Sequence, residues 1–363
     1  MLGADLVWGA VVVRDGRIVD VVRDLAGAAL PETVIEADVV SPGFIDLQVN
    51  GAFGREVGED LDAFGHLASR LPSTGVTAFL PTLVSSASEV YPRTCEAFLA
   101  SRNACGALPL GLHLEGPFLS PRRPGAHRIE AIQRAREDVF EPFLRNDVLR
   151  LVTLAPEIPG GRDRIRSLLS RGVVVSLGHT DASYEEFTEA VDAGARMATH
   201  LFNAMSPFLH RSPGTVGAAL LDDRIAVGII PDGVHSHAAA FRLAVKAKGP
   251  DRVCLVTDAI SGAGMPPGVY HLDGQDVRVT DTHAQLADGT LAGSVLTFDQ
   301  GIRKVVGWGC SIAEACRMGS EVPARLLGLS SKGRLSPGFD ADLVLLDSDL
   351  RVLSTFREGR RLF

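Results

Sequence analysis

Eight short apolar runs recur along the middle of the chain, near Phe44–Val49, Thr77–Leu80, Leu110–Leu114, Leu149–Leu154, Val173–Leu177, Arg196–Thr199, Ile225–Ile230 and Val253–Thr257. Stretches between them, such as DLDAFGHLASRL, EEFTEAVDAG and HAAAFRLAVKAKG, space their apolar residues at helical intervals. Strands alternating with helices predict an α/β fold with a parallel sheet, and eight such units predict a (β/α)8 barrel of the TIM type. The two ends have a different texture. Residues 5–40 alternate apolar and polar, and VVVRDGRIVDVV sets Asp15-Gly16 between two strand-like runs, a hairpin signal. The tail from Gly333, GRLSPGFDADLVLLDSDLRVLSTFREGRRLF, repeats that strand-and-turn texture, so both ends are expected to join in one small sheet domain.

In a barrel of this kind chemistry sits at the C-terminal ends of the strands. Here those ends carry Gln48 and Asn50, Thr82, Glu115, Glu157, His179, His200, Asp232 with His235, and Asp258. Polar groups at one end of otherwise apolar runs should converge on one rim. Glu115, His179 and His200 form a one-carboxylate, two-imidazole set that leaves a divalent metal an open position for water, as in hydrolytic sites. Asp258 reads as a turn cap in isolation and as a general base beside such a metal.

Other residues refine this picture. Gln48 and Asn50 stand where many barrel metallohydrolases place H-x-H, and amide oxygens are poor zinc ligands beside imidazole. No lysine precedes Lys246, so a lysine-bridged pair of metals has no candidate and one metal is expected. His127, in the loop SPRRPGAHR, reads on its own as an exposed loop histidine. HLFNAMSPFLHRSPG offers backbone N–H groups at Asn203 and Ala204 and a guanidinium at Arg211 to an anion, or is an ordinary solvated loop. Of the H-x-H pair His235 and His237, the first is assigned to substrate and the second to structure.

Bulk properties exclude some classes. The 363 residues are 46% hydrophobic and 22% charged, as in ordinary globular proteins. A formal charge of -8 and a pI near 5.7 argue against a nucleic-acid or anionic-membrane binder. No apolar run approaches a membrane span and no signal peptide is seen. Five cysteines without C-x-x-C spacing fit reduced thiols in a cytoplasm.

The ordered motifs SPGFIDLQVNG, HLEGPF, SLGHTDA, ATHLFNAM, PDGVHSH, LVTDAISGAG, DGTLAGS and GRLSPGFDADLVLLD resemble the N-acetylglucosamine-6-phosphate deacetylases of the amidohydrolase superfamily. That resemblance runs from about Ser41 to Asp347. It implies a (β/α)8 barrel over 43–334 with a small β-sandwich from residues 1–42 and 335–363. It carries over Glu115, His179 and His200 as ligands of one divalent ion per subunit, Zn²⁺ by preference with other first-row ions compatible. Asp258 becomes the acid/base, and His127 helps polarise the acetyl carbonyl. Asn203, Ala204, Arg211 and His235 match sugar-phosphate contacts, some supplied by a neighbouring subunit, which implies a homodimer. The implied reaction releases acetate and glucosamine-6-phosphate from N-acetylglucosamine-6-phosphate. A preference for the galacto epimer or related acetamido-sugar phosphates, and an inactive sugar-phosphate-binding scaffold, are the alternatives. The scaffold reading is disfavoured because all four chemical residues are present.

Overall fold

All eight apolar runs form strands of one parallel sheet in the computed structural model, which describes residues 6–25, 33–58, 60–101 and 105–363. They are β1 (Phe44–Val49), β2 (Val76–Val84), β3 (Leu112–Glu115), β4 (Leu149–Leu154), β5 (Val174–Leu177), β6 (Met197–Ala198), β7 (Ala226–Ile229) and β8 (Val253–Leu255). Consecutive strands pair in parallel. Helices Ala63–Arg70, Tyr184–Ala193 and Ala238–Lys248 form where the helical spacing predicted them. The second of these begins on a capping box in which Ser183 and Glu186 satisfy each other's backbone N–H groups. The fold is a (β/α)8 barrel.

β8 and β1 meet at their tips rather than through a full ladder. Val49 bridges Ala259 in parallel, and Asp258 N–H donates to the Gln48 carbonyl at 3.0 Å. Lower down, the buried Asp46 carboxylate accepts the Thr257 hydroxyl at 2.6 Å. Side-chain and main-chain bonds thus close the seam at the end that carries the site.

Strand side chains alternate between two surroundings, as the period of two requires. Val152, Leu154, Val175, Leu177, Val227 and Ile229 belong to the large cluster shared with the helices. Ile45, Leu47, Ala78, Leu80, Leu151, Met197 and Cys254 of the strands form a separate cluster with Ile230, Val256, Leu296, Val322 and Ala324. Above that apolar plug lies a hydrogen-bonded layer. His113 Nε2 lies 2.8 Å from the Thr153 hydroxyl, which lies 2.7 Å from that of Thr199. The Thr199 hydroxyl in turn contacts that of Ser176 at 2.5 Å. A buried polar group without a partner costs about 1–3 kcal/mol, so a chained layer is how the interior turns from apolar plug to polar rim.

The two ends come together as expected. Val39–Pro42, Leu343–Leu346, Val352–Arg357 and Arg360–Arg361 form an antiparallel sheet. The hairpin Ala10–Arg14/Arg17–Val22 turns on Asp15 and Gly16, both at positive φ (49° and 77°), the requirement of a two-residue primed turn. Ile18 N–H and the Gly16 carbonyl bond Phe339 and Ala341 of the C-terminal segment, tying the hairpin to it. Residues 1–5, and residues 26–32 of the alternating stretch, lie outside the described residues.

One element was not anticipated. Gly268–Leu272, Gln275–Val279 and Ala284–Gln285 form a three-stranded antiparallel sheet inserted after β8. Leu272, Val277, Val279 and Ala284 pack with Val84 and Ile260 and thereby wall one side of the rim.

Candidate active site and metal centre

The strand ends converge on a cavity of about 380 Å³, in the size range of small-molecule sites. Its lining includes Asn50, Glu115, His127, His179, His200, Asn203, Ala204, His235 and Asp258. Thr82 and Glu157 are not among the lining residues: Thr82 bonds His113 and Val49 inside the barrel, and Glu157 accepts from Thr180 and Asp181.

Glu115 ends β3, and the two histidines follow β5 and β6. The Glu115 Oε1 atom lies 3.0 Å from His200 Nε2 and 3.4 Å from His179 Nε2. The two Nε2 atoms are 3.0 Å apart, and the three ligand atoms all lie within 4.8 Å of one another. His179 Nδ1 faces the Arg123 carbonyl at 3.0 Å, so it carries the proton and leaves Nε2 a bare lone pair. One proton on His200 Nε2 cannot satisfy both that lone pair and the carboxylate. A divalent cation satisfies all three donors together, and one carboxylate with two imidazoles is a zinc-type set. The residues present therefore fit a metal. The Arg123 carbonyl fixes the tautomer of His179 and would serve as its outer-shell contact to such an ion.

Backbone geometry supports the same centre. His179, His200 and Asp258 take φ of 46°, 31° and 50°, and Ala204 takes 48°. Non-glycine residues rarely adopt such values, which persist where the surroundings over-determine them and cluster at functional sites. Two glycines are needed at close approach. A Cβ on Gly125 would meet the His179 ring at 2.9 Å, and one on Gly293 would meet the Asp258 carbonyl oxygen at 2.8 Å. The first lets the SPRRPGAHR loop lie on His179; the second lets DGTLAGS pass close to Asp258.

The electrostatics separate the two carboxylates. Burial alone would raise Glu115, but the close-set imidazoles of His179 and His200 outweigh it and hold the carboxyl well below its ordinary range. Asp258 is pushed up to about 6, first by burial and then by the Glu115 charge. Its Oδ1 accepts from Asn50 Nδ2 at 2.7 Å and Gln48 Nε2 at 2.9 Å. Gln48 Nε2 also donates to Glu115 Oε1 at 3.0 Å. The amides at the first-strand end are thus donors to both carboxylates.

His127 departs from its reading as an exposed loop residue: its side chain is 4% exposed. The loop folds back over the site, and Ser85 N–H donates to His127 Nδ1 at 3.2 Å. The neutral ring therefore carries its proton on Nε2, which lies 3.7 Å from Glu115 Oε2. Burial and the neighbouring His179 push this histidine down to about 3, so it stays neutral.

On the far side, His235 Nδ1 donates to Asp232 Oδ2 at 2.6 Å, leaving Nε2 for a ligand. His237 caps the helix Ala238–Lys248 by accepting from Ala239 N–H, a structural role. Asn203 and Ala204 line the cavity. Arg211 is exposed and is not among its lining residues. The cations that do line the cavity are Arg122 and Arg123, held to Asp181 at 3.3 and 2.8 Å. Sequence reasoning passed over them, although the Arg-Arg pair four residues before His127 was a visible signal.

The sequence model of the amidohydrolase family matches residues 39–362. Human N-acetylglucosamine-6-phosphate deacetylase is 41% identical over 364 residues, covering 95% of this chain and 86% of the relative. The crystal structure of the Pasteurella multocida N-acetylglucosamine-6-phosphate deacetylase superposes with a TM-score of 0.92 at 33% identity, covering 98% of this chain and 96% of that one. A mutant deacetylase from Mycobacterium smegmatis, solved in complex with N-acetyl-D-glucosamine-6-phosphate, gives a TM-score of 0.91 at 35% identity over 100% of this chain and 97% of that one. The chain belongs to the amidohydrolase family, on the branch of the N-acetylglucosamine-6-phosphate deacetylases.

Proposed function

We propose that this chain hydrolyses N-acetylglucosamine-6-phosphate to glucosamine-6-phosphate and acetate at a single-metal centre. The observation that carries the reading is the convergence of Glu115, His179 and His200 within 4.8 Å, beside a separately held Asp258. The full-length likeness to deacetylases supports the same substrate.

A divalent ion on Glu115, His179 and His200 would supply Lewis-acid polarisation of the amide carbonyl and a lowered pKa for water. Zn²⁺ suits this set, and other first-row divalent ions share it. Asp258 takes the proton of the attacking water as the new C–O bond forms. It returns that proton to the nitrogen as the C–N bond breaks, so the amine leaves neutral with acetic acid, which keeps the water's second proton and then ionises to acetate. His127 donates its Nε2–H to the carbonyl oxygen, where negative charge grows in the tetrahedral intermediate. A neutral, buried donor suits that task because it is fixed before the charge develops.

His235, Asn203 and Ala204 are assigned to the sugar phosphate. Arg211 reaches the phosphate from a second copy in a homodimer; its exposure and its position off the cavity of its own chain support this. Five free cysteines fit a reducing cytoplasm. No described helix is long and apolar enough to cross a membrane.

Acetate release tests the substrate assignment. N-acetylglucosamine-6-phosphate should show kcat/KM roughly 10²-fold or more above unphosphorylated N-acetylglucosamine, the scale of losing charged contacts worth about 2–5 kcal/mol. Equal rates on the two sugars would remove the phosphate from the reading. Faster turnover of the galacto epimer would reassign the sugar.

A further inference from the structure

We propose that Gln48 and Asn50 are positioning residues that clamp one oxygen of Asp258 and thereby select the other, Oδ2, as the proton carrier. The proposal rests on the assignment of Asp258 as acid/base above.

Both amides aim an N–H at the same atom, Oδ1, at 2.9 and 2.7 Å. No described residue donates to Oδ2 in the same way. A carboxylate oxygen that already accepts two N–H groups has its lone pairs engaged, so a proton arriving at the group goes to the other oxygen. The clamp also fixes the plane of the carboxylate. Asp258 is 7% exposed and cannot trade these partners for bulk water.

The amides in turn have one available orientation. Gln48 Oε1 and Asn50 Oδ1 are buried without a partner among the described residues. Turning either amide to satisfy its oxygen elsewhere would set that oxygen against an ionised carboxylate. The two uncompensated oxygens, each a cost to stability, are tolerated because the opposite ends hold Asp258. Asn50 is itself pinned, since its N–H and that of Gly51 both donate to the Ala259 carbonyl at 2.9 and 3.0 Å. Gln48 differs from Asn50 in one respect: its Nε2 is shared with Glu115 Oε1 at 3.0 Å. Gln48 therefore joins the proton carrier to a metal ligand, and Asn50 touches the carrier alone.

That asymmetry makes the proposal testable with N50A, N50D and Q48A. Each is assayed for kcat and KM on N-acetylglucosamine-6-phosphate and for zinc affinity by chelator competition. N50A should lose roughly 10- to 100-fold in kcat, the scale of a hydrogen bond to a charged group, with KM and zinc affinity little changed. N50D keeps the shape of asparagine but opposes two carboxylates, and should lose more kcat than N50A. A residue serving shape alone would give the reverse order, with N50D near wild type. Q48A should lose kcat and also weaken zinc by about 10- to 100-fold, as outer-shell changes do.

N50A within about twofold of wild-type kcat, the scale of an ordinary surface substitution, would overturn the clamp whether or not N50D folds. So would N50A weakening zinc as much as Q48A. D258N is the control that separates the two readings. If D258N remains active, the acid/base assignment itself fails; if D258N is inactive while N50A and N50D are normal, the clamp alone fails.

Discussion

Asp258→Asn should lower kcat by roughly 10²- to 10⁴-fold, the usual contribution of a positioned general acid/base. The substitution keeps the shape of the side chain, so an oxygen can still face the Gln48 and Asn50 donors. It removes the atom that carries a proton. Zinc content should be unchanged, because the ligand group is Glu115, His179 and His200 and does not include this residue. Purified variant is assayed for acetate release and for bound metal together. Near-normal turnover with normal metal would remove Asp258 from the chemistry.

The same residue sets a pH dependence. A base works when ionised, and burial with the Glu115 charge has pushed Asp258 up to about 6. As pH falls through that value the carboxylate protonates, the base is lost and kcat/KM drops. A bound cation opposes the Glu115 charge, so it moves the acid limb below 6 and not above it. The limb should be absent from the residual activity of the asparagine variant.

His200→Ala should weaken zinc by more than about 100-fold, beyond the range of an outer-shell change. His200 Nε2 sits 3.0 Å from both Glu115 Oε1 and His179 Nε2. Its removal leaves two ligands and a gap. Thermal unfolding gives an independent readout, since a ligand bound to the folded state alone stabilises it by RT ln(1 + [L]/Kd). Added zinc should raise the Tm of the metal-stripped wild type and leave that of the alanine variant unmoved. An equal rise in both would place the metal elsewhere.

How far the sequence carried differs from element to element. The barrel was legible because each strand run is short, apolar and separated from the next by a helix-spaced segment. β1 and β4 begin and end where the apolar pattern does. The grouping of Glu115, His179 and His200 was legible because each interrupts such a run at its end, and a barrel brings strand ends together. The sheet Gly268–Leu272/Gln275–Val279/Ala284–Gln285 was not legible, because it follows the eighth strand of an already complete barrel and its short strands bury few residues.

Side-chain roles were harder to read than positions. Gln48 and Asn50 were recognised by what they are not, namely metal-binding imidazoles. Their service as donors to Asp258 depends on the β1–β8 seam, which no local pattern encodes. His127 was read as exposed because its neighbours are Arg, Pro and Gly, yet the loop's return over the rim buries it. That return depends on contacts far apart in sequence, from Arg123 to Asp181 and from Ser85 to His127. His113 was passed over because it sits within an apolar strand, where its only signal was a lone polar residue two before Glu115. It is a neutral member of the hydroxyl layer, pushed down to about 4 by burial. Arg211 shows the limit of a single chain: the motif places it in the loop after His200, but its own cavity does not receive it.

The most direct test follows acetate release from N-acetylglucosamine-6-phosphate while metal is removed and returned. Chelation should abolish turnover, and titration with Zn²⁺ should restore it with a break at one equivalent per chain. Full activity in the chelated protein, or a break at two equivalents, would contradict a hydrolytic centre built on one ion between Glu115, His179 and His200.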